Sequence, residues 1–372
     1  MDQISTILLY AFFLFTGVQL IYYIIVFSKN LGKPAESKSN TEGISVVICA
    51  RNEKKNLEEH LTKFLDQNFA NFEVIVVNDG STDGTTQLLE DLEKQHDRLK
   101  VVQLDIDEKY YRGKKFALTI GIKAAQNDIL LLSDADCYPQ SQEWINSMTA
   151  PFTNPKIEIV LGLGHYEVRN RPLNWMIQLD TFHTAFMYTN FSKFGRSYMG
   201  VGRNLAYRKT LFFKFKGFAS HQHILSGDDD LFINEASTPT NTAVCLESNG
   251  ITISKAHTSF SKWTKQKLRH LSSSEAYLTK DKLTLGLYSF SLFATYLLFA
   301  LLLVLNFEMI VVLAVMGVRF VTQSIILPIN MVRLHYKKYI PFYILFDIGW
   351  MMMYLYLGLR SIFHSSKPKT WS

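Results

Sequence analysis

The sequence predicts an α/β domain with a mostly parallel sheet, joined to membrane-spanning helices at both ends. Three observations carry that expectation. From Ile44 to Asp136, apolar runs of strand length alternate with helically spaced segments, and each run ends in a polar turn. Near both ends lie uncharged stretches of about the roughly 20 residues that a spanning helix needs. At 372 residues and 48% hydrophobic, with mean hydropathy +0.04, the chain is too apolar for an ordinary soluble enzyme and not apolar enough for a pure membrane bundle.

Ile4 to Phe27 reads as a signal anchor rather than a cleaved leader, because a basic n-region and a small-residue cleavage site are missing. Tyr22 and Tyr23 suit an interfacial belt, and Lys29, Lys33 and Lys38 follow, which puts the next domain on the cytoplasmic side. Residues 1–28 are thus expected to be the anchor and 29–43 a polar linker. Ile44–Ala50 is a buried strand ending in Arg51-Asn52-Glu53, and Asn56 to Phe69 has helical spacing with Leu57, Leu61, Phe64 and Leu65 on one face. Phe72–Val77 is a second strand, closed by the tight turn Asn78-Asp79-Gly80-Ser81-Thr82-Asp83-Gly84. Leu99–Leu104 is a third, and a helix opens at Gly113-Lys114-Lys115. Ile129-Leu130-Leu131-Leu132-Ser133-Asp134-Ala135-Asp136 then reads as a central strand ending in two carboxylates, where open α/β sheets bind ligands.

Past Pro151 the alternation weakens. Ile157–Gly164 reads as a strand, Trp175–Phe194 as an aromatic helix, and Ala243–Leu246 and Gly250–Ser254 as short strands. Phe260 to Leu271 mixes basic and apolar residues as an interfacial helix does, and 260–281 is assigned to it. Residues 282–372 form a membrane region of two to three spans: Leu283–Leu305, Met309 to about Leu327, and Ile340 to about Leu359. Arg333, Lys337 and Lys338 put the 331–339 loop inside. A fourth span would carry Arg360, Lys367 and Lys369 outside, a tension that a last segment lying in the interface removes. Arg319 and Asp347 fall within spans at similar depth and are expected to pair.

The net charge of +6 lies largely beside the membrane stretches and, with no nucleic-acid motif present, points to a lipid bilayer as partner rather than nucleic acid. Cys49, Cys137 and Cys245 are far apart, with no C-x-x-C, which argues against a disulfide framework and a zinc site and makes a reducing compartment the simpler reading.

Four separated features suit group transfer from a nucleotide donor. Asp79 closes a strand and is able to accept hydrogen bonds from a nucleobase or ribose. Asp134 and Asp136 suit ribose and a metal–diphosphate. Asp228, Asp229 and Asp230 offer a general base. Gln266 and Arg269 share a helix face, the arginine suited to a departing diphosphate. Asp83 reads as a turn and helix cap, and Asp230 equally as a cap.

The ordered set Ala50-Arg51-Asn52-Glu53, Val77-Asn78-Asp79-Gly80-Ser81-Thr82-Asp83, Gly113-Lys114-Lys115, Asp134-Ala135-Asp136, Gly227-Asp228-Asp229 and Gln266-Lys267-Leu268-Arg269-His270 resembles the membrane-bound family 2 glycosyltransferases over about residues 44–271. The resemblance implies an inverting enzyme with a single nucleotide-diphospho-sugar transferase domain of GT-A type, its sheet mixed and mostly parallel. It implies a domain over 44–259, with a donor half (44–150) and an acceptor half (151–259). Asp79 would contact the nucleoside, Lys114 or its neighbour Lys115 would lie near the nucleotide, and Asp134 and Asp136 would handle ribose, diphosphate and a Mg²⁺ or Mn²⁺ ion. Arg51, Asn52 and Glu53 are expected to bind substrate with them. Asp229 is the preferred base, with Asp228 as the alternative register. Arg203 and Asn204 resemble an acceptor-side segment and equally suit a glycine turn. His270 stands where processive members carry tryptophan, which counts against polymer synthesis. The expected donor is a UDP-sugar, the acceptor a glycan or lipid-linked hydroxyl, and the expected location the bacterial inner membrane. A processive polysaccharide synthase and a non-catalytic nucleotide-sugar-binding scaffold are the rival readings.

Overall fold

The computed structural model describes residues 2–32, 39–104, 113–224 and 226–363. Lys33 and Lys38 beside the first span, part of the 29–43 linker, and Lys367 and Lys369 lie outside them. The chain divides into two compact units, one holding the long apolar helices and one the α/β fold. Helix α1 (Asp2–Ile21) runs into a π-helical turn at Tyr22–Val26 and belongs to the first.

The α/β unit starts with β1 (Ile44–Ala50), all seven residues of which are buried, as the apolar run requires of a central strand. Helix α2 (Lys54–Leu65) buries Leu57, Leu61, Phe64 and Leu65, the predicted face. Then come β2 (Phe72–Asp79), α3 (Thr85–Gln95), β3 (Leu99–Leu104), α4 (Gly113–Ala124) and β4 (Ile129–Asp134). Their order is β3-β2-β1-β4, all parallel, so the chain direction of sheet growth reverses at β1. Register brings the strand ends level: Ala50 pairs with Asn78 and Cys49 with Asp134.

The second half is assembled from shorter pieces. In order they are β5 (Cys137–Pro139), α5 (Trp144–Thr149), β6 (Ile159–Leu161), β7 (Gly164–Tyr166), α6 (Pro172–Lys193, assigned to this unit only as far as Thr181), β8 (Leu205–Arg208), α7 (Lys209–Lys214), α8 (Asp230–Ala236), β9 (Thr242–Val244), β10 (Thr252–Ser254) and α9 (Phe260–Ser274). The main sheet has seven strands, β3-β2-β1-β4-β8-β6-β9, with β8 antiparallel to both β4 and β6. It is therefore mixed and mostly parallel, as expected. Because β8 runs against β4, Leu205 lies beside Leu132 and residues 202–204 arrive at the Asp134 end.

A three-stranded sheet, β5-β10-β7, was not expected. Its formation splits the single strand expected over Ile157–Gly164 into β6 and β7, which belong to different sheets. The hand-over occurs at Gly162, where a Cβ would lie 2.5 Å from Asn204 Nδ2.

In the first unit α10 (Thr279–Val304), α11 (Met309–Arg333) and α12 (Phe346–Phe363) follow. Four helices, Gln3–Leu31, Thr279–Val304, Met309–Arg333 and Lys337–Ser361, are long and apolar enough to cross a membrane. The last expected span is regular only from Phe346; Lys337–Leu345 is a 3₁₀ stretch containing Pro341, whose ring nitrogen has no hydrogen to donate. Phe12 packs with Ala294, Leu298, Leu302 and Val312. The Arg319–Asp347 pair forms at 2.6 Å, with Asp347 1% exposed and Arg319 wholly buried. The same guanidinium also donates to Gln19 at 3.2 Å, Gln323 at 3.1 Å and Tyr296 at 3.3 Å.

Candidate active site

Ligand crevices in open α/β sheets lie outside the carboxyl ends of the strands, where their order reverses. Here that point is the edge formed by β2, β1 and β4, and the level register puts Asp79, Arg51 and Asp134 along it. Asp79 Oδ2 is buried and has no hydrogen-bond partner; the Arg51 guanidinium is 3.9 Å away. Burial raises the Asp79 carboxyl above its ordinary range, against the pull of Arg51. A carboxylate oxygen left this way is costly unless a donor arrives. The turn after it is fixed by Asp83, which accepts from the main chain of Lys54 at 3.1 Å and Thr85 at 3.1 Å. It thereby ties the first turns of α2 and α3 together, and the expected capping role holds.

Asn52 and Glu53 separate here. Asn52 adopts φ +56° and accepts from Thr82 N at 2.8 Å, while its own N–H donates to Ser81 Oγ at 2.9 Å. It clips two loops together, so its side-chain oxygen is spent on the frame rather than offered to a substrate. Glu53 takes a hydrogen bond from Asn56 at 2.6 Å, and burial together with the charges of Asp136 and Asp134 raises its pKa.

Lys114 lies at the centre of the site. Its Nζ is 2.9 Å from Asp134 Oδ1 and 2.8 Å from Asp228 Oδ2, so it bridges β4 to the turn before α8. Burial alone would lower its pKa; the attraction of Asp134, Asp228 and Asp229 outweighs that and holds it well above the ordinary value. Lys115 points elsewhere and donates to His221 O at 2.8 Å and Ile224 O at 2.9 Å. Of the two lysines, only Lys114 meets the carboxylates; the expectation for Lys115 as a nucleotide contact gives way to a loop anchor.

Asp134, Asp136 and Cys137 bring ligand-type atoms within 4.8 Å of one another. The Cys137 thiol donates to Asp136 Oδ1 at 3.3 Å, and burial pushes its pKa well up, so it stays protonated. The donor set is therefore two carboxylates. It fits a hard divalent ion that fills its remaining positions with phosphate oxygens and water, and does not fit zinc.

The three aspartates after Gly227 have three different situations. For Asp228, burial is outweighed by Lys114, which keeps its pKa below the ordinary value. Asp229 accepts from Gly202 N at 2.6 Å and Asp230 N at 2.8 Å; burial and the charges of Asp228 and Asp230 lift it to about 7. Asp230 accepts from Leu231 N at 2.8 Å and from Ser273 Oγ of α9 at 2.6 Å, so it is a cap and a helix–helix tie. Gly227 is required by its backbone: φ is +91°, and a Cβ would lie 2.4 Å from Leu231 Cδ1.

Helix α9 carries half-buried Gln266 and Arg269 and exposed His270. Ser226 Oγ lies 3.5 Å from Arg269 O, which brings this turn of α9 to the aspartate loop. Lys267 Nζ is 2.5 Å from Asp180 Oδ2, a carboxylate with 4% of its side chain exposed. Sequence reasoning missed Asp180, although a lone acid in an aromatic helix was a visible signal. It also missed the Gly202 N–H, which no side-chain motif announces.

Arg203 donates to Gly164 O at 2.7 Å and stacks 4.3 Å over Tyr166, within electrostatic reach of Asp136. Asn204 is fully buried and bonds Trp144 Nε1 at 3.0 Å, Leu163 O at 2.7 Å and Gly250 O at 2.7 Å. Those bonds leave the side chain unexposed and agree with the alternative reading of Asn204 as a residue that shapes the glycine turn.

Over 154 residues, 41% of this chain, it is 31% identical to a poly-beta-1,6-N-acetyl-D-glucosamine synthase of Staphylococcus epidermidis, and the match spans 36% of that relative's length. A 4,4'-diaponeurosporenoate glycosyltransferase of Staphylococcus haemolyticus is 26% identical over 52% of this chain and 50% of its own. Among solved structures, a mannosyltransferase from Pyrobaculum calidifontis, determined with GDP-Man and Mn²⁺, superposes with a TM-score of 0.57 at 17% identity, over 98% of this chain and 99% of that one. This last likeness establishes the fold, a GT-A-like α/β domain. The family description glycosyl transferase family 2 matches residues 45–214, the span from β1 to the end of α7, so this chain carries a family 2 glycosyltransferase domain.

Proposed function

We propose that the protein is a membrane-anchored inverting glycosyltransferase that moves a sugar from a nucleotide-diphospho-sugar to an acceptor hydroxyl. The observation that carries this reading is the bridge Asp134–Lys114–Asp228, at 2.9 and 2.8 Å, which joins the end of β4 to the aspartate loop. It sets diphosphate-binding carboxylates beside a candidate base.

In this reading Asp79 Oδ2 accepts an N–H from the base or an O–H from the ribose, which satisfies the buried oxygen. Asp134 and Asp136 hold a divalent ion, Mg²⁺ or Mn²⁺, which when bound offsets the negative charge of the diphosphate. Arg51 and Glu53 border the nucleotide, and Lys114 holds the carboxylates apart and balances their charge. Asp229 takes the proton of the acceptor hydroxyl, whose oxygen bonds to the anomeric carbon as the carbon–phosphate oxygen bond breaks on the opposite face. Arg269, which has no ion-pair partner among the described residues, stabilises the departing nucleoside diphosphate. Gln266 orients beside it, and Arg203 lines the acceptor side. A pKa near 7 suits a base at neutral pH better than Asp228, which Lys114 holds strongly ionised.

The four long apolar helices support a multi-pass protein of the bacterial inner membrane, with this domain cytoplasmic and the acceptor a glycan or lipid-linked hydroxyl. A UDP-sugar is the first donor to test. The experiment is release of nucleoside diphosphate from UDP- and GDP-sugars by purified full-length protein with Mn²⁺ or Mg²⁺, with and without membrane-lipid acceptors. No release above a chelated control from any donor removes the reading. A processive synthase is the second reading, favoured by the similarity to a polysaccharide synthase. His270 counts against it, and product length decides.

A further inference from the structure

Besides the Arg319–Asp347 pair, the unit of long apolar helices holds a clamp of buried amides. It joins the ends of α1, α6 and α11; residues 182–194 of α6 belong to this unit. Helix α1 and its π-helical turn lead into a 3₁₀ turn, Lys29–Leu31. There the Asn30 N–H donates to Asn190 Oδ1 at 3.0 Å, and the Asn30 side chain donates to Thr189 Oγ1 at 2.8 Å and Asn330 Oδ1 at 3.1 Å. Asn190 donates to the same Asn330 oxygen at 2.9 Å, and Asn330 donates to Phe27 O at 3.0 Å. All three asparagines are wholly buried. Amides shielded from water must satisfy one another, and in doing so they fix the three helix ends together.

Each asparagine brings a cation with it. Lys29 precedes Asn30, while Lys193 and Arg333 follow Asn190 and Asn330 by three residues, one turn on along the same side of the helix. Lys29 Nζ lies 5.7 Å from the centre of the Phe194 ring. Crowding around the Lys193 ammonium, and then the charge of Arg333, lowers the Lys193 pKa, so these two cations feel each other. Lys29, Lys193 and Arg333 have no ion-pair partner among the described residues. The described acids of this unit are engaged or placed elsewhere: Asp2 and Glu308 at the opposite ends of α1 and α11, Asp347 on Arg319, and Asp281 in the first turn of α10. A cation in the last turn of a helix is favourable by itself, which accounts for each one singly. It does not account for a buried clamp that gathers three of them without a counter-charge, where like charges repel. Lys29 and Lys193 are exposed and Arg333 half-buried, so an anion can reach them.

We propose that Lys29, Lys193 and Arg333 bind the phosphate of an anionic phospholipid, held as a resident lipid of the bilayer and not as a substrate. The phosphodiester carries the charge that the cluster lacks, and its two free oxygens accept from the guanidinium fork and the ammonium groups. A phospholipid is favoured over a free anion because the cluster stands at the ends of α1 and α11, helices of spanning length and apolarity, where headgroups lie. The basic 331–339 loop puts that end inside, which assigns the lipid to the inner leaflet. Once bound, it offsets the repulsion and holds the three helix ends together. The proposal goes beyond the transferase reading: it needs spanning helices, but neither donor nor acceptor.

The test titrates phosphatidylglycerol into full-length protein in a neutral detergent and follows retained lipid by native mass spectrometry, with phosphatidylcholine and inorganic phosphate as comparisons. Phosphatidylglycerol is expected to bind, and Lys193→Gln with Arg333→Gln to weaken it by at least about tenfold, the loss of one charge-assisted contact or more. Lys337→Gln with Lys338→Gln removes the same charge from exposed lysines of the neighbouring 3₁₀ stretch and is expected to leave the affinity near its original value. Equal losses in the two variants overturn the proposal, since only diffuse attraction is then at work, and so does no loss in either. Phosphatidylcholine or inorganic phosphate binding as well as phosphatidylglycerol overturns it too. Should the first variant fail to fold, the exposed Lys29→Gln is expected to weaken binding as well, and unchanged affinity there overturns the proposal. Retention in membranes washed with alkaline carbonate reports the spanning helices separately: release into the wash removes the membrane reading, whereas retention without phosphatidylglycerol selectivity removes this proposal alone.

Discussion

At the scale of single residues, the aspartate loop divides its labour by charge. Asp229, lifted to about 7, is protonated below that pH and cannot take a proton there. The sign follows directly: turnover rises with pH through about 7, by roughly tenfold per unit on the acid side, and a pH–rate profile of kcat/KM reads it. Asp229→Asn is expected to lower kcat by about 10²–10⁴-fold with nucleotide affinity kept. If Asp228→Asn abolishes turnover while Asp229→Asn retains it, the base is Asp228. Lys115 supports this loop from outside the chemistry. Lys115→Met removes two bonds from a charged donor to His221 O and Ile224 O, and is expected to cost about 2–3 kcal/mol in a denaturant titration. The strand-end placement of Asp79 and Asp134 was legible in sequence because each ends an apolar run, and a buried parallel strand shows itself without any partner. The bonds of Asn204 and Lys115 were not legible, because a motif names the residue type whereas their partners are carbonyl groups distant in the chain.

At the scale of elements, α9 is held by a buried ion pair rather than by apolar packing alone. Lys267 alternates with Gln266 and Arg269 along the helix and turns the other way, to Asp180 of α6. Removing one partner strands a charge: Lys267→Met is expected to cost about 3–5 kcal/mol, and Asp180→Leu with Lys267→Met to recover most of it, read as midpoint shifts in urea. The single Asp180→Asn change is expected to lower kcat more than nucleotide affinity, because it loosens the helix bearing Arg269 and leaves Asp79 untouched. The sequence announces β10 as the short strand Gly250–Ser254 but not β5 or β7, which are too short to show a period, and the pairing of the three joins segments far apart in the chain. That is why the three-stranded sheet lay beyond sequence reading while the four parallel strands of β3-β2-β1-β4 did not.

At the scale of the molecule, the unit of long apolar helices has a polar centre. Arg319 reaches Gln19, Tyr296 and Asp347, so one guanidinium engages side chains from all four long helices, its own included. A double-mutant cycle on Arg319→Ala and Asp347→Ala, followed by thermal unfolding in detergent, is expected to show about 2 kcal/mol of coupling; additive losses would exclude the pair. Here the sequence was informative, since a charge inside a span stands out against its neighbours, but the neutral partners did not stand out. The arrangement also imposes an order in time. Gln19 and Arg319 are 300 residues apart, and at about 5–20 residues per second the ribosome needs roughly 15–60 s to travel between them. If these helices insert as spans, the first must wait in the bilayer with its Gln19 carbonyl oxygen lacking the arginine until Arg319 is made. The cell therefore either shields that helix during synthesis or tolerates a vulnerable nascent chain, and quality control has its clearest opportunity there.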